Sequence, residues 1–250
     1  MPSFRNGPVE IAYLDEGEGY PIVLVHGFAS NKNITWVYPR WVSELKRHGR
    51  RVIALDNRGH GESTKLYDPN DYDLNAMVGD VRALLDHLGL DRVDMMGYSL
   101  GSRVTGCLAR SEPQRVRSAI LGGLGVDMIE GGGPGENVAN ALEAVSLDGI
   151  TDSVGRTFRA FADQTRSDLK ALAACLRGSR CLATREEIAS IAVPVLIAVG
   201  TIDEIAGSAR ALAALIPGAE VLDIPDRDHM RAVGDRAFSA GVLDFLSRRP

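Results

Sequence analysis

Ser99 lies in Gly97-Tyr98-Ser99-Leu100-Gly101, where the apolar run Val93-Asp94-Met95-Met96 gives way to a helical pattern. A serine held on a tight strand-to-helix turn needs neighbours without side chains on both sides, and Gly97 and Gly101 supply them. A serine hydroxyl is a poor nucleophile at neutral pH. It needs a base within hydrogen-bond reach and a third group to orient that base. His229, in Ile224-Pro225-Asp226-Arg227-Asp228-His229-Met230, directly follows a strand-like run and is the candidate base. The other histidines fit worse: His48 and His87 lie on helical patterns, His60 sits inside a glycine turn, and His26 is read as a hydrogen-bonding residue holding the turn at Gly27. The orienting acid is expected on the loop after the preceding strand, where Val199-Gly200-Thr201-Ile202-Asp203-Glu204 offers Asp203, with Glu204 as the less favoured neighbour. Asp226 and Asp228 compete, although their adjacency to His229 makes the back of its ring hard to reach. A tetrahedral oxyanion needs preorganised donors. The backbone amides of Leu100, at a helix start, and of Phe28, in Val25-His26-Gly27-Phe28, are the candidates for that oxyanion hole.

Short β-rich runs alternate with helical patterns along most of the chain, which predicts an α/β fold with a parallel sheet covered on both faces. Strand candidates are 9–14, 22–26, 51–55, 92–96, 116–121, 195–199 and 220–224, several of them continuously apolar as doubly buried strands are. Leu74, Met77, Val78, Val81, Leu84, Leu85 and Leu88 fall at helical spacing, with Asp73 as N-cap and Gly89 as stop. Helices are also expected over 35–48, 100–110, 206–215 and 231–247. The alternation breaks between 122 and 190, where Gly131-Gly132-Gly133-Pro134-Gly135 precedes short amphipathic patterns and no convincing strand. This predicts a core of residues 1–121 and 191–250 with a helical cap inserted at 122–190, entered through the glycine run.

Composition narrows the function classes. At 250 residues, with 45% hydrophobic and 24% charged residues, the chain has ordinary globular values and can build a full α/β core. A formal charge of −5 argues against a nucleic-acid surface. The one basic cluster, Lys46, Arg47, Arg50 and Arg51, is explained by a helix end closed by Gly49. No apolar run approaches membrane-spanning length, no secretory leader is visible, and the three cysteines lack a framework spacing, so a soluble, cytoplasmic protein is expected. Cys107 reads as core filler, since nothing places a base beside it. No His-x-His or paired-Cys spacing suggests a metal site.

The elbow around Ser99, the oxyanion strand ending at Gly27 and the chain order Ser99, Asp203, His229 resemble the α/β-hydrolase family. The run Leu55-Asp56-Asn57-Arg58-Gly59-His60-Gly61-Glu62-Ser63 resembles that family's turn after its third strand. The resemblance covers the chain except the cap. It implies a mostly parallel sheet of eight strands and hydrolysis through a covalent acyl-serine intermediate without a cofactor. One departure is Ser102, where a third glycine is frequent. A serine rather than an aspartate at the elbow argues against epoxide or haloalkane chemistry.

The expected function is a carboxylesterase acting on small esters, with Tyr98, Met128, Phe158, Phe161 and Met230 joining Phe28 and Leu100 around a modest apolar pocket. An enol-lactonase or a carbon–carbon bond hydrolase with the same triad is the alternative. A non-catalytic ligand receptor, a cofactor-free perhydrolase or oxygenase and an acyltransferase are further readings.

Overall fold

The computed structural model describes residues 2–131, 134–180 and 182–249. Gly132 and Gly133 of the glycine run and Cys181 of the cysteine count lie outside the described residues, as do Met1 and Pro250.

Eight strands form one sheet: β1 (Ser3–Asn6), β2 (Val9–Glu16), β3 (Tyr20–Val25), β4 (Arg50–Leu55), β5 (Val93–Tyr98), β6 (Val116–Gly122), β7 (Val195–Gly200) and β8 (Glu220–Ile224). Their spatial order is β1-β2-β4-β3-β5-β6-β7-β8, with β2 antiparallel to both its neighbours, β1 and β4, and every other pairing parallel. The chain passes from β3 outward to β4 and then returns to place β5 on the other side of β3. That reversal opens a crevice above the carboxyl ends of β3 and β5, where ligands collect in open α/β sheets. Register brings those ends level, with Val25 opposite Gly97 and Gly97 opposite Leu121.

Alternate residues of the central strands enter two separate cores. Val23, Val25, Ile53, Leu55 and Met95 pack on one face beside α2 (Leu74–His87) and α3 (Leu100–Ser111). Ile22, Leu24, Val52, Ala54 and Met96 pack on the other beside α1 (Trp41–Arg47) and α10 (Arg236–Ser247). Burial on both faces is why these strands read as unbroken apolar runs. Between β6 and β7 run α4 (Asp127–Glu130), α5 (Glu136–Glu143), α6 (Ser153–Gln164), α7 (Leu169–Gly178) and α8 (Arg185–Ala189), with no strand among the described residues; α9 (Ala209–Ala213) links β7 to β8.

The secondary structure departs from the sequence-based expectations in several places, each with a physical cause. β1 was not expected because Ser3-Phe4-Arg5-Asn6 is mostly polar; it exists as a hairpin partner of β2, turned through Gly7 at φ +59°. The helix expected over 35–48 is a single wide turn at Asn33–Val37 followed by α1. Pro39 cannot donate a backbone hydrogen bond, and Arg40 takes φ +71°, so the two segments cannot merge. The 206–215 helix shrinks to α9, because Gly207 is left-handed at φ +71° and Ser208 caps the helix from outside. The 231–247 helix begins at Arg236, where the Asp235 carboxylate accepts the Ala237 amide at 2.7 Å. The basic cluster is neutralised by carboxylates: Lys46 pairs with Glu16, Arg47 with Glu44, Arg50 with Asp94 and Arg51 with Asp15. Arg50 and Arg51 belong to β4 rather than to the helix end.

Candidate active site

Ser99 occupies the single residue between β5 and α3, at φ +53° and ψ −114°. A side-chain-bearing residue in such a region costs about 1–3 kcal/mol and persists when its surroundings dictate it. Here they do. A Cβ on Gly97 would stand 2.2 Å from the Gly101 oxygen, and one on Gly101 would stand 1.9 Å from the Val25 oxygen, so neither position admits a side chain. The Ser99 amide donates to the Gly122 oxygen at 2.8 Å, and the buried Ser102 hydroxyl donates to the same oxygen at 2.8 Å. Ser102 thus ties the elbow to β6, a function that glycine could not perform.

Asp203 and His229 project from the loops after β7 and β8. Asp203 Oδ2 accepts from His229 Nδ1 at 2.8 Å, while Oδ1 accepts the amides of Ile205 and Ala206 at 2.8 and 3.0 Å. Its side chain is fully buried. Burial alone would raise its pKa, but the His229 hydrogen bond and charge and the two amides outweigh it and hold the carboxyl below the usual range. With Nδ1 donating to this anion, Nε2 is the nitrogen left to accept a proton. The loops cross closely, since a Cβ on Gly200 would stand 2.0 Å from the Arg227 oxygen. The ring nitrogen bonds to neither competing acid: the Asp228 carboxylate accepts its own turn's Arg231 amide at 2.9 Å, and Asp226 sits at φ +54° with its backbone amide on Thr201 Oγ1.

Phe28 follows the tip of β3 on a loop held from beneath. His26 Nδ1 donates to the Gly27 oxygen at 2.7 Å and Nε2 accepts the Asn57 amide at 3.0 Å. Burial lowers the His26 pKa, which keeps the ring neutral in that bridging role. Asp56 receives the Lys32 amide and ammonium, both at 2.7 Å, and the same ammonium donates to Glu62 at 2.7 Å. The Leu100 amide opens α3, where the first turn has no intrahelical acceptor.

Ser99 lines two adjoining cavities. One, of about 240 Å³, is walled by Tyr98, Phe158, Phe161, His229 and Met230 together with Ile34, Pro39 and Val233. The other, of about 160 Å³, is walled by Leu100, Arg103, Leu176, Ser179, Arg180 and Leu182. Phe28 and Pro134 border both. Among the described residues no group of three or more His, Cys, Asp or Glu is arranged to hold a metal ion, and no helix is long and apolar enough to cross a membrane.

Residues 20–130 match the sequence family described as the alpha/beta hydrolase fold. The chain is 29% identical to non-heme chloroperoxidase CPO-A1 of Kitasatospora aureofaciens, over 98% of each protein. It is 31% identical to the dihydrolipoyllysine-residue acetyltransferase component of the acetoin cleaving system of Pseudomonas putida over 85% of its own length, and spans 59% of that longer protein. The enol-lactonase from Burkholderia xenovorans LB400 superposes with a TM-score of 0.81, covering 98% of this chain and all of that one at 24% identity, a likeness of fold.

The chain belongs to the α/β-hydrolase family.

In this hydrolase the structure brings together most of the residues singled out in the sequence. Tyr98, Phe158, Phe161 and Met230 border the larger cavity with Ser99 and His229, and Leu100 borders the smaller. Met128 does not join them. It is buried in the core, its terminal methyl 2.9 Å from where a Cβ on Gly106 would lie, so it packs beneath α3 instead of facing the site. Tyr98 has a second task, since its hydroxyl donates to the His229 backbone oxygen at 2.5 Å. Burial pushes its phenol far above the ordinary value, so it stays a donor. Of the five histidines, His229 is the one among the described residues that lines these cavities. Arg103 and Arg180 went unnoticed in the sequence. Arg103 stands four residues after Ser99, one helical turn along the same face, a signal that was available. Arg180 arrives from the far end of α7 and has no local signature.

Proposed function

We propose that this hydrolase cleaves small carboxylic esters through an acyl-serine intermediate. In this reading Ser99 Oγ attacks the ester carbonyl while His229 Nε2 takes its proton, and the amides of Phe28 and Leu100 receive the oxyanion. The imidazolium, stabilised by the Asp203 carboxylate, returns that proton to the departing alkoxide. Water then enters, losing a proton to His229 as it attacks the acyl carbonyl, and the carboxylic acid leaves as Ser99 regains its hydrogen. The observation that carries the proposal is the Asp203–His229 hydrogen bond at 2.8 Å, on a histidine that shares a cavity with a serine on a strained elbow.

Both cavities are smaller than the roughly 300–1,000 Å³ common for ligand sites, which favours short acyl chains and small alcohols. Residues 122–190 act as the cap in this reading: Phe158 stands 6.0 Å ring to ring from Phe28, and Thr165 Oγ1 donates to the Ala29 oxygen at 3.2 Å. A chromogenic ester series of graded acyl length tests the proposal, run on the native enzyme and on Ser99→Ala, with fluorophosphonate labelling of Ser99 alongside. Butyryl esters should outpace palmitoyl esters, and Ser99→Ala should lose both turnover and label. Turnover that survives Ser99→Ala, or that requires peroxide while simple esters stay intact, overturns it.

A further inference from the structure

We infer that the smaller cavity is a carboxylate subsite, so that the ester turned over best carries an acid group a few bonds from the scissile carbonyl. The inference rests on the ester-cleaving reading and adds to it the chemical class of the substrate. The two cavities that meet at Ser99 differ in chemistry. The larger is walled mainly by aromatic and aliphatic side chains, and the arginine at its edge, Arg231, is paired with Asp228 at 3.7 Å. The smaller has two guanidinium side chains, Arg103 and Arg180, and no acidic residue among its lining. That concentration of positive charge stands out in a chain whose net charge is −5.

The two arginines reach the cavity from opposite sides. Arg103 rises from α3 one turn beyond Ser99, and its Nη2 donates to the Asp127 backbone oxygen at 2.9 Å, which steadies the side chain, while the Asp127 carboxyl, itself outside the cavity lining, lies close enough to feel the guanidinium charge. Arg180 lies just past the end of α7 and is paired with no carboxylate among the described residues. Two guanidinium groups around one space suit a planar carboxylate, to which arginine donates in a fork. Four helical residues advance about 6 Å, so an acid bound by Arg103 is separated from a carbonyl at Ser99 by a short linker of a few carbons.

Two matched pairs of esters test this on the full chain: 4-nitrophenyl hydrogen glutarate against 4-nitrophenyl pentanoate, and 4-carboxyphenyl butyrate against phenyl butyrate. The first pair places the acid on the acyl side and the second on the alcohol side. In at least one pair the acidic ester should be favoured in kcat/KM by about tenfold at low salt, the range expected of a charge-assisted hydrogen bond. Raising the ionic strength should shrink that preference. Without such a subsite the net negative protein would disfavour both acids. In Arg180→Gln and in Arg103→Gln the ratio should fall toward one, and Arg180→Lys should restore part of it. A variant that is merely misfolded loses both members of a pair alike and leaves the ratio unchanged. Hydrolysis of all four esters with no preference for an acid, or a preference that persists in both glutamine variants, overturns the inference alone. Failure to hydrolyse any ester overturns the ester-cleaving reading and this inference with it.

Discussion

The phenolic hydroxyl of Tyr98 and the backbone oxygen of His229 are joined by a 2.5 Å hydrogen bond in which Tyr98 donates. The residue preceding Ser99 in sequence therefore fixes the height of the loop that carries the histidine. Tyr98→Phe keeps the ring that packs 5.5 Å from the imidazole but leaves a buried carbonyl unpaired. That loss is worth about 1–3 kcal/mol. The expected result is a fall in kcat of about tenfold or more with KM little changed, measured by steady-state kinetics, together with a lower Tm. A KM effect at constant kcat would show that Tyr98 acts on substrate instead.

Asp203→Asn preserves shape and removes the charge that stabilises the imidazolium. Turnover should drop on the order of 10³- to 10⁴-fold, the scale seen when a triad acid is made neutral. Oδ1 is held by two amides, so the variant should still fold. Circular dichroism and the kcat of the purified variant check both statements, and a loss below tenfold would remove Asp203 from the mechanism.

Lys32 and Asp56 form a buried ion pair with each side chain 1% exposed. Lys32→Met strands the carboxylate and should destabilise the fold by about 3–5 kcal/mol. Lys32→Met combined with Asp56→Asn should recover part of that loss in urea denaturation. Additive losses would mean that the pair is not coupled.

Stability should decline with acid in two stages. His26 and His60 are held neutral by burial, which at His26 outweighs the opposing charge of Asp56 and at His60, joined by the repulsion of His26, brings the value down to about 3. A group whose folded pKa lies below its unfolded value favours the folded state above the unfolded value and loses that contribution as pH falls through it. The histidine stage therefore begins near pH 6.5, and a second begins near pH 4, where Asp56 and Asp203, both held below the ordinary carboxylate range, resist the protons that the unfolded chain accepts. Tm measured from pH 7.5 to 3 should slope downward throughout this window. A flat profile between pH 7 and 5 would contradict the histidine part, and Asp56→Asn should flatten the lower part.

Chemistry-bearing residues were easier to read from the chain than the backbone around them. Gly97 and Gly101 announce the elbow because their Cβ positions are occupied by backbone, a constraint that leaves a direct mark on sequence. The central strands announce themselves because both faces are buried. β1 left no such mark, since its pairing comes from β2 and a glycine turn and not from its own side chains. The break at Pro39 and Arg40 was obscured by apolar residues that continue in helical rhythm on either side. Met128 carried the right chemistry for a pocket, and no local pattern reveals which side of α3 a residue of the short α4 will pack on. Arg180 was invisible for the same reason, because its meeting with Arg103 depends on how α7 ends.

The two oxygens of Asp203 are committed to different masters. One is locked to the polypeptide two and three residues downstream, whatever His229 does, so the carboxylate is a stationary post. In the proposed mechanism any movement between proton transfers therefore falls to the imidazole, with the carboxylate as its docking point. On that reading the anchorage of the acid, and not its basicity alone, would hold the ring to one geometry from one turnover to the next.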